Sequence, residues 1–182
     1  MTHQDLAKDA LARLLYEAEE QIVQEATSRL RTSSSPHYRG METIDLKPRI
    51  QDLFQAYRES AISGDPRFIA AFVATIGRKR LRQEYSLEEL LLVVNVLSRV
   101  VWETAASAFH SRGAEAFGDL LRLADASLGA KDSLARTYEE EIKQEREAFA
   151  RLNKAFSEYL KVRYSESDLR HSKEDQGNLD QA

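Results

Sequence analysis

The chain has 182 residues, with 26 Lys and Arg against 30 Asp and Glu and a formal net charge of -4, a size that suits one domain with appendages. Its 31% charged residues and mean hydropathy of -0.52 imply much solvated surface and exclude a membrane-embedded protein, while zero Cys excludes disulfides, thiolate zinc sites, iron–sulfur clusters and a cysteine nucleophile. A pI near 5.7 gives no global field for nucleic acid, and Met1-Thr2-His3-Gln4-Asp5 lacks the basic and apolar regions of a secretory signal, so a cytoplasmic location is expected.

Three Pro and seven Gly are too few for the many turns of a sandwich or barrel, so the expected fold is all-α. From Gln4 to Leu30, apolar Leu6, Ala10, Leu14, Leu15, Ala18, Ile22, Ala26 and Leu30 recur at helical spacing, predicting one long amphipathic helix. Thr32-Ser33-Ser34-Ser35-Pro36 stops it, since hydroxyls compete for backbone bonds and Pro36 disfavours helix at Ser35. A loop to about Asp45 follows. The second helix is expected to begin near Leu46-Lys47-Pro48, with Pro48 in the first turn, and to end at Ser63-Gly64. Asp65 then caps a third helix, with Pro66 at its first position and a stripe of Phe68, Ile69, Phe72, Val73 and Ile76 running toward Gln83.

Ser86-Leu87-Glu88-Glu89 reads as a capping box. The helix it opens, Leu87 to Phe109, is apolar nearly all round and is expected to be the most buried. Ser111-Arg112-Gly113 breaks the chain, a shorter helix spans Ala114 to about Ser127, and Leu128-Gly129-Ala130 reads as a stop or bend. The last helix is expected from Lys131 to about Tyr164. In it Ile142, Phe149 and Phe156 fall one heptad apart, interleaved with Tyr138, Leu152 and Tyr159 and interrupted by Glu145, a pattern that suits a coiled-coil seam. Beyond Ser165 the residues are too polar to offset ordering entropy. The expected division is therefore a bundle over 1–130, a long amphipathic helix over 131–164 and a disordered tail over 165–182.

Chemistry is sparse. No nucleophile elbow, phosphate-binding glycine loop or metal-ligand spacing is present, and His3, His37, His110 and His171 stand outside any Glu-x-x-His motif, so no enzyme, metal or cofactor is expected. His110, near Trp102 and Phe109, is the weak candidate for a haem or small-ligand pocket, against the simpler role of a histidine at a helix C-terminus. Arg78-Lys79-Arg80-Leu81-Arg82 likewise complements a helix dipole more simply than it reads nucleic acid. His171 lacks the context of a phosphoacceptor.

The segment from Leu53 through Gly64-Asp65, then Ile76-Gly77-Arg78-Lys79-Arg80, Tyr85-Ser86-Leu87-Glu88-Glu89-Leu90-Leu91 and Leu97-Ser98-Arg99-Val100-Val101-Trp102-Glu103 resembles the RsbT co-antagonist (RsbRD-type) N-terminal domain, over about residues 10 to 130. The resemblance implies a helical sensory or regulatory module of bacterial signalling. Related stressosome sensors are dimeric and globin-like without haem, and a long helix after the domain carries the signal; Lys131 to Tyr164 matches that position. The expectation is thus a non-catalytic all-α bundle, globin-like by that resemblance, that homodimerises through Tyr138, Ile142, Phe149, Leu152, Phe156 and Tyr159. It would relay a signal to a bacterial signalling partner and bind neither nucleic acid nor membrane. The alternative is a haem or small-ligand sensor.

Overall fold

A computed structural model of the chain describes the backbone of residues 9–179 and the side chains of 9–114 and 116–161. Among the described residues there are seven α-helices, one 3-10 segment and no strand: α1 (Ala10–Glu17), α2 (Glu19–Arg31), α3 (Pro36–Arg39), α4 (Thr43–Ser63), α5 (Arg67–Leu81), α6 (Leu87–Ala108), a 3-10 turn (His110–Ala116) and α7 (Phe117–Leu179). The all-α expectation holds. The chain divides into two units, one ending at Glu139 and one beginning at Glu140. The expected tail over 165–182 lies outside the described side chains, as do His3 and His171.

In the first unit, α2 packs on α4 and α6, and α4 packs on α5. The core is a single cluster that includes Leu11, Leu15, Ile22, Phe54, Tyr57, Ile69, Leu97 and Leu123. Helix α6 buries Leu90, Val94, Leu97, Val101 and Ala105, but the most buried helix is α4 rather than α6 as expected: packed on α1, α2 and α5, it buries Leu46, Ile50, Leu53, Phe54, Tyr57, Ala61 and Ile62 along with Arg58 and Ser60. By length and composition alone α6 would suffice to cross a membrane; here its buried stripe packs against α1 and α2.

Several boundaries differ from the sequence reading, each for a tertiary reason. The first helix is two: Ala18 leaves helical geometry at φ -92°, ψ 2°. Buried Arg58 straddles this bend, its guanidinium 4.2 Å from the Tyr16 ring and paired with Glu19. The loop before Asp45 contains the short α3, with Pro36 at its start and Tyr38 buried. Helix α4 begins at Thr43, so Pro48 lies inside it; the bond it forfeits belongs to the carbonyl of Ile44, still in the first turn.

Helix α5 opens at Arg67, one residue past the expected start, with Pro66 as its N-cap residue and the Asp65 carboxylate accepting the Arg67 N–H at 3.0 Å, and it ends at Leu81 rather than Gln83. Its end is closed by a Schellman pattern: Glu84 adopts φ 65° while the Tyr85 N–H donates to the Arg80 carbonyl at 3.1 Å. The predicted stripe on α5 is rotated. Ile69, Val73 and Gly77 are buried, whereas Phe68 is 55% and Ile76 36% exposed. Gly77 sets this rotation, because a Cβ there would stand 3.0 Å from Leu134 Cδ2.

The stop expected at Leu128-Gly129-Ala130 is absent, and α7 runs unbroken from Phe117. Gly129 is a contact point: a Cβ there would lie 2.7 Å from Pro66 Cβ. Further ties hold the first part of α7 to the unit. The Tyr57 hydroxyl donates to the Leu123 carbonyl at 2.7 Å, the Ser133 hydroxyl to the Ala70 carbonyl at 2.7 Å, and the Arg122 guanidinium to the Asp9 carboxylate at 2.8 Å.

Candidate functional site

In the second unit the proposed seam residues lie open. Phe149 and Leu152 are each 65% exposed, Phe156 59% and Tyr159 55%, while Ile142 is half-buried. Tyr138, in the first unit, is also half-buried. These large apolar side chains form an exposed stripe at a and d spacing along the helix. Counting back by sevens from Ile142 reaches Ala135, Leu128 and Leu121, and from Tyr138 reaches Phe117. Leu121, Leu128 and Phe117 are likewise exposed within the first unit, at 47, 56 and 63%. The sequence reading missed them because it placed a stop at Gly129; carrying the heptad phase through that glycine would have found them.

A second feature is the polar junction at the start of α6. The capping box forms as expected: the Ser86 hydroxyl accepts the Glu89 N–H at 3.2 Å, and Glu89 accepts the Ser86 N–H at 3.1 Å. The same carboxylate reaches α3, accepting the Ser35 hydroxyl at 2.5 Å and the His37 ring Nδ1 at 2.9 Å. His37 stacks on Tyr85 with ring centroids 4.0 Å apart, and the Arg80 guanidinium lies 5.3 Å from the same ring. Burial pushes the Glu89 carboxyl upward. Donation by the Ser35 and His37 side chains, aided by the Ser86 and His37 amides, outweighs burial and brings it down to about 2.

A third feature is a cavity of about 250 Å³ in the first unit, walled by residues of α4, α5, α6 and α7 with Tyr38 of α3. Trp102, Phe109 and His110 are not among its walls. Trp102 is half-buried on α6; Phe109 is buried at that helix's C-terminus beneath the Arg112 guanidinium, 4.6 Å from its ring; His110 is exposed at the start of the 3-10 turn. Arg78, Lys79 and Arg80 occupy the last turn of α5, where their charge complements the helix dipole.

Comparison with curated proteins returned no match, and neither did comparison with solved structures. The family model for the RsbT co-antagonist protein rsbRD N-terminal domain matches residues 20–154, from α2 into the part of α7 that carries Phe149 and Leu152. With that span covering most of the bundle and part of the exposed apolar stripe, the chain belongs to the RsbT co-antagonist protein rsbRD N-terminal domain family, a class of stressosome-related signalling domain.

Proposed function

We propose that this chain is a non-catalytic, cytoplasmic signalling module that forms a homodimer along α7 and passes a conformational signal through that helix to a signalling partner. The observation that carries the reading is the run of exposed Phe149, Leu152, Phe156 and Tyr159 at heptad spacing. A second copy of the same helix supplies a complementary row of knobs and holes, and this burial removes the aromatic rings from water. Signal transfer then requires two packings of the paired helices and an input with different affinity for each. Glu145, exposed at a seam position, weakens the pairing locally and keeps two packings close in energy.

The test is light scattering coupled to size exclusion on the full chain and on a Phe149→Glu/Phe156→Glu variant. Both substitutions are at exposed positions, so the fold is retained and checked by circular dichroism. A dimeric parent and a monomeric variant are expected. A monomeric parent, or a variant that remains equally dimeric, would refute the assigned seam.

A further inference from the structure

The cavity in the first unit has two chemically distinct parts. Its buried walls are apolar, supplied by Leu53 of α4, Val73 of α5, Leu90 and Val94 of α6 and Leu134 of α7. Its more exposed lining carries charge, with Arg49 and Asp52 on α4 and Lys79 and Arg80 on α5, beside Ile76. Three cations against one carboxylate leave this rim net positive. Tyr38 adds a neutral donor: burial pushes its phenol upward and keeps it protonated. Apolar walls give water few partners, and they favour hydrocarbon. Guanidinium groups and a phenol in one lining suit a carboxylate, which accepts from both.

We infer that this cavity binds an apolar carboxylate of the fatty-acid kind, its chain against the buried walls of α4, α5 and α6 and its head group held by Arg49, Lys79, Arg80 and Tyr38. Binding here does not depend on dimerisation. Because Leu134 belongs to both the cavity wall and α7, occupancy bears directly on the packing of that helix within the first unit.

Isothermal titration calorimetry of the full chain with decanoate, decanol and acetate tests the assignment. Saturable one-to-one binding of decanoate is expected, at least tenfold tighter than decanol, with no detectable acetate binding. In an Arg49→Gln/Lys79→Gln variant, changed only at exposed helix positions, decanoate binding should weaken at least tenfold while decanol binding stays the same. A Val93→Phe variant, filling the cavity from α6, should lose both ligands; if it fails to fold by circular dichroism, the charge-removal variant decides the matter. Equal affinity for decanoate and decanol, or decanoate binding indifferent to Arg49 and Lys79, would overturn the head-group assignment. Absence of saturable decanoate binding would overturn the site.

Discussion

Glu89 joins two segments that are distant in sequence, because one carboxylate serves both its own helix start and the α3 segment. Its pairing with Ser86 was legible from the Ser-x-x-Glu spacing. Its bonds to Ser35 and His37, more than fifty positions away, were not, since no local pattern specifies a partner at that separation. The consequence is pH dependence with a definite sign. A carboxyl depressed from 4.5 to about 2 contributes stability that is complete above about pH 5 and lost as pH falls from about 4.5 through about 2. Glu89→Gln keeps neutral acceptor geometry but loses charge assistance, and should cost about 1–2 kcal/mol at pH 7. Urea unfolding from pH 7 to pH 2.5 should show that deficit shrinking toward acid. A deficit that stays constant with pH would show that the carboxylate charge is not what Ser35 and His37 stabilise.

At the scale of the element, Gly129 shows how a correct local rule gives a wrong boundary. Glycine costs about 1 kcal/mol in a helix interior relative to Ala, so reading it as a stop is reasonable from sequence. The structure offsets that cost with contact, since only a missing Cβ lets α7 lie against Pro66. Gly129→Ala should therefore destabilise the protein by about 1–3 kcal/mol despite the better helix former. Gly118→Ala, where an added Cβ meets nothing within 4 Å, should be neutral or stabilising by up to about 1 kcal/mol. Chemical denaturation midpoints of the two variants distinguish these outcomes, and stabilisation at both would mean that Pro66 does not press on Gly129. Helix α5 makes the same point about faces. Periodicity placed Phe68 and Ile76 with Ile69 and Val73, but the close approach of Leu134 to Gly77 chose a narrower buried line and left Phe68 and Ile76 outside.

For the whole molecule, the proposed seam on α7 is the feature most open to test. Glu145 occupies a d-type position between Tyr138 and Leu152, where a carboxylate must remain solvated or be buried at a cost. Glu145→Leu should tighten the proposed homodimer at least tenfold and raise a concentration-dependent thermal midpoint, both readable by sedimentation and scanning calorimetry. Unchanged association would mean that Glu145 faces away from the partner and that the heptad phase is misassigned.

Legible in the sequence were the all-α class, the capping box at Ser86, the Gly64 and Gly113 breaks and the family. All of these are written in spacing or in the conformational preference of single residues, which act over a few positions of chain. Tertiary packing was needed to show that α7 is continuous through Gly129, that Arg58 spans a bend at Ala18, that Glu89 meets His37, and that apolar walls and basic groups from separate helices line one cavity. Periodicity tells a helix which face is apolar. It does not tell that face which distant side chain it will meet, because that depends on how closely other helices can approach, and here the missing Cβ atoms of Gly77 and Gly129 and the partly buried Glu89 carboxylate set that distance.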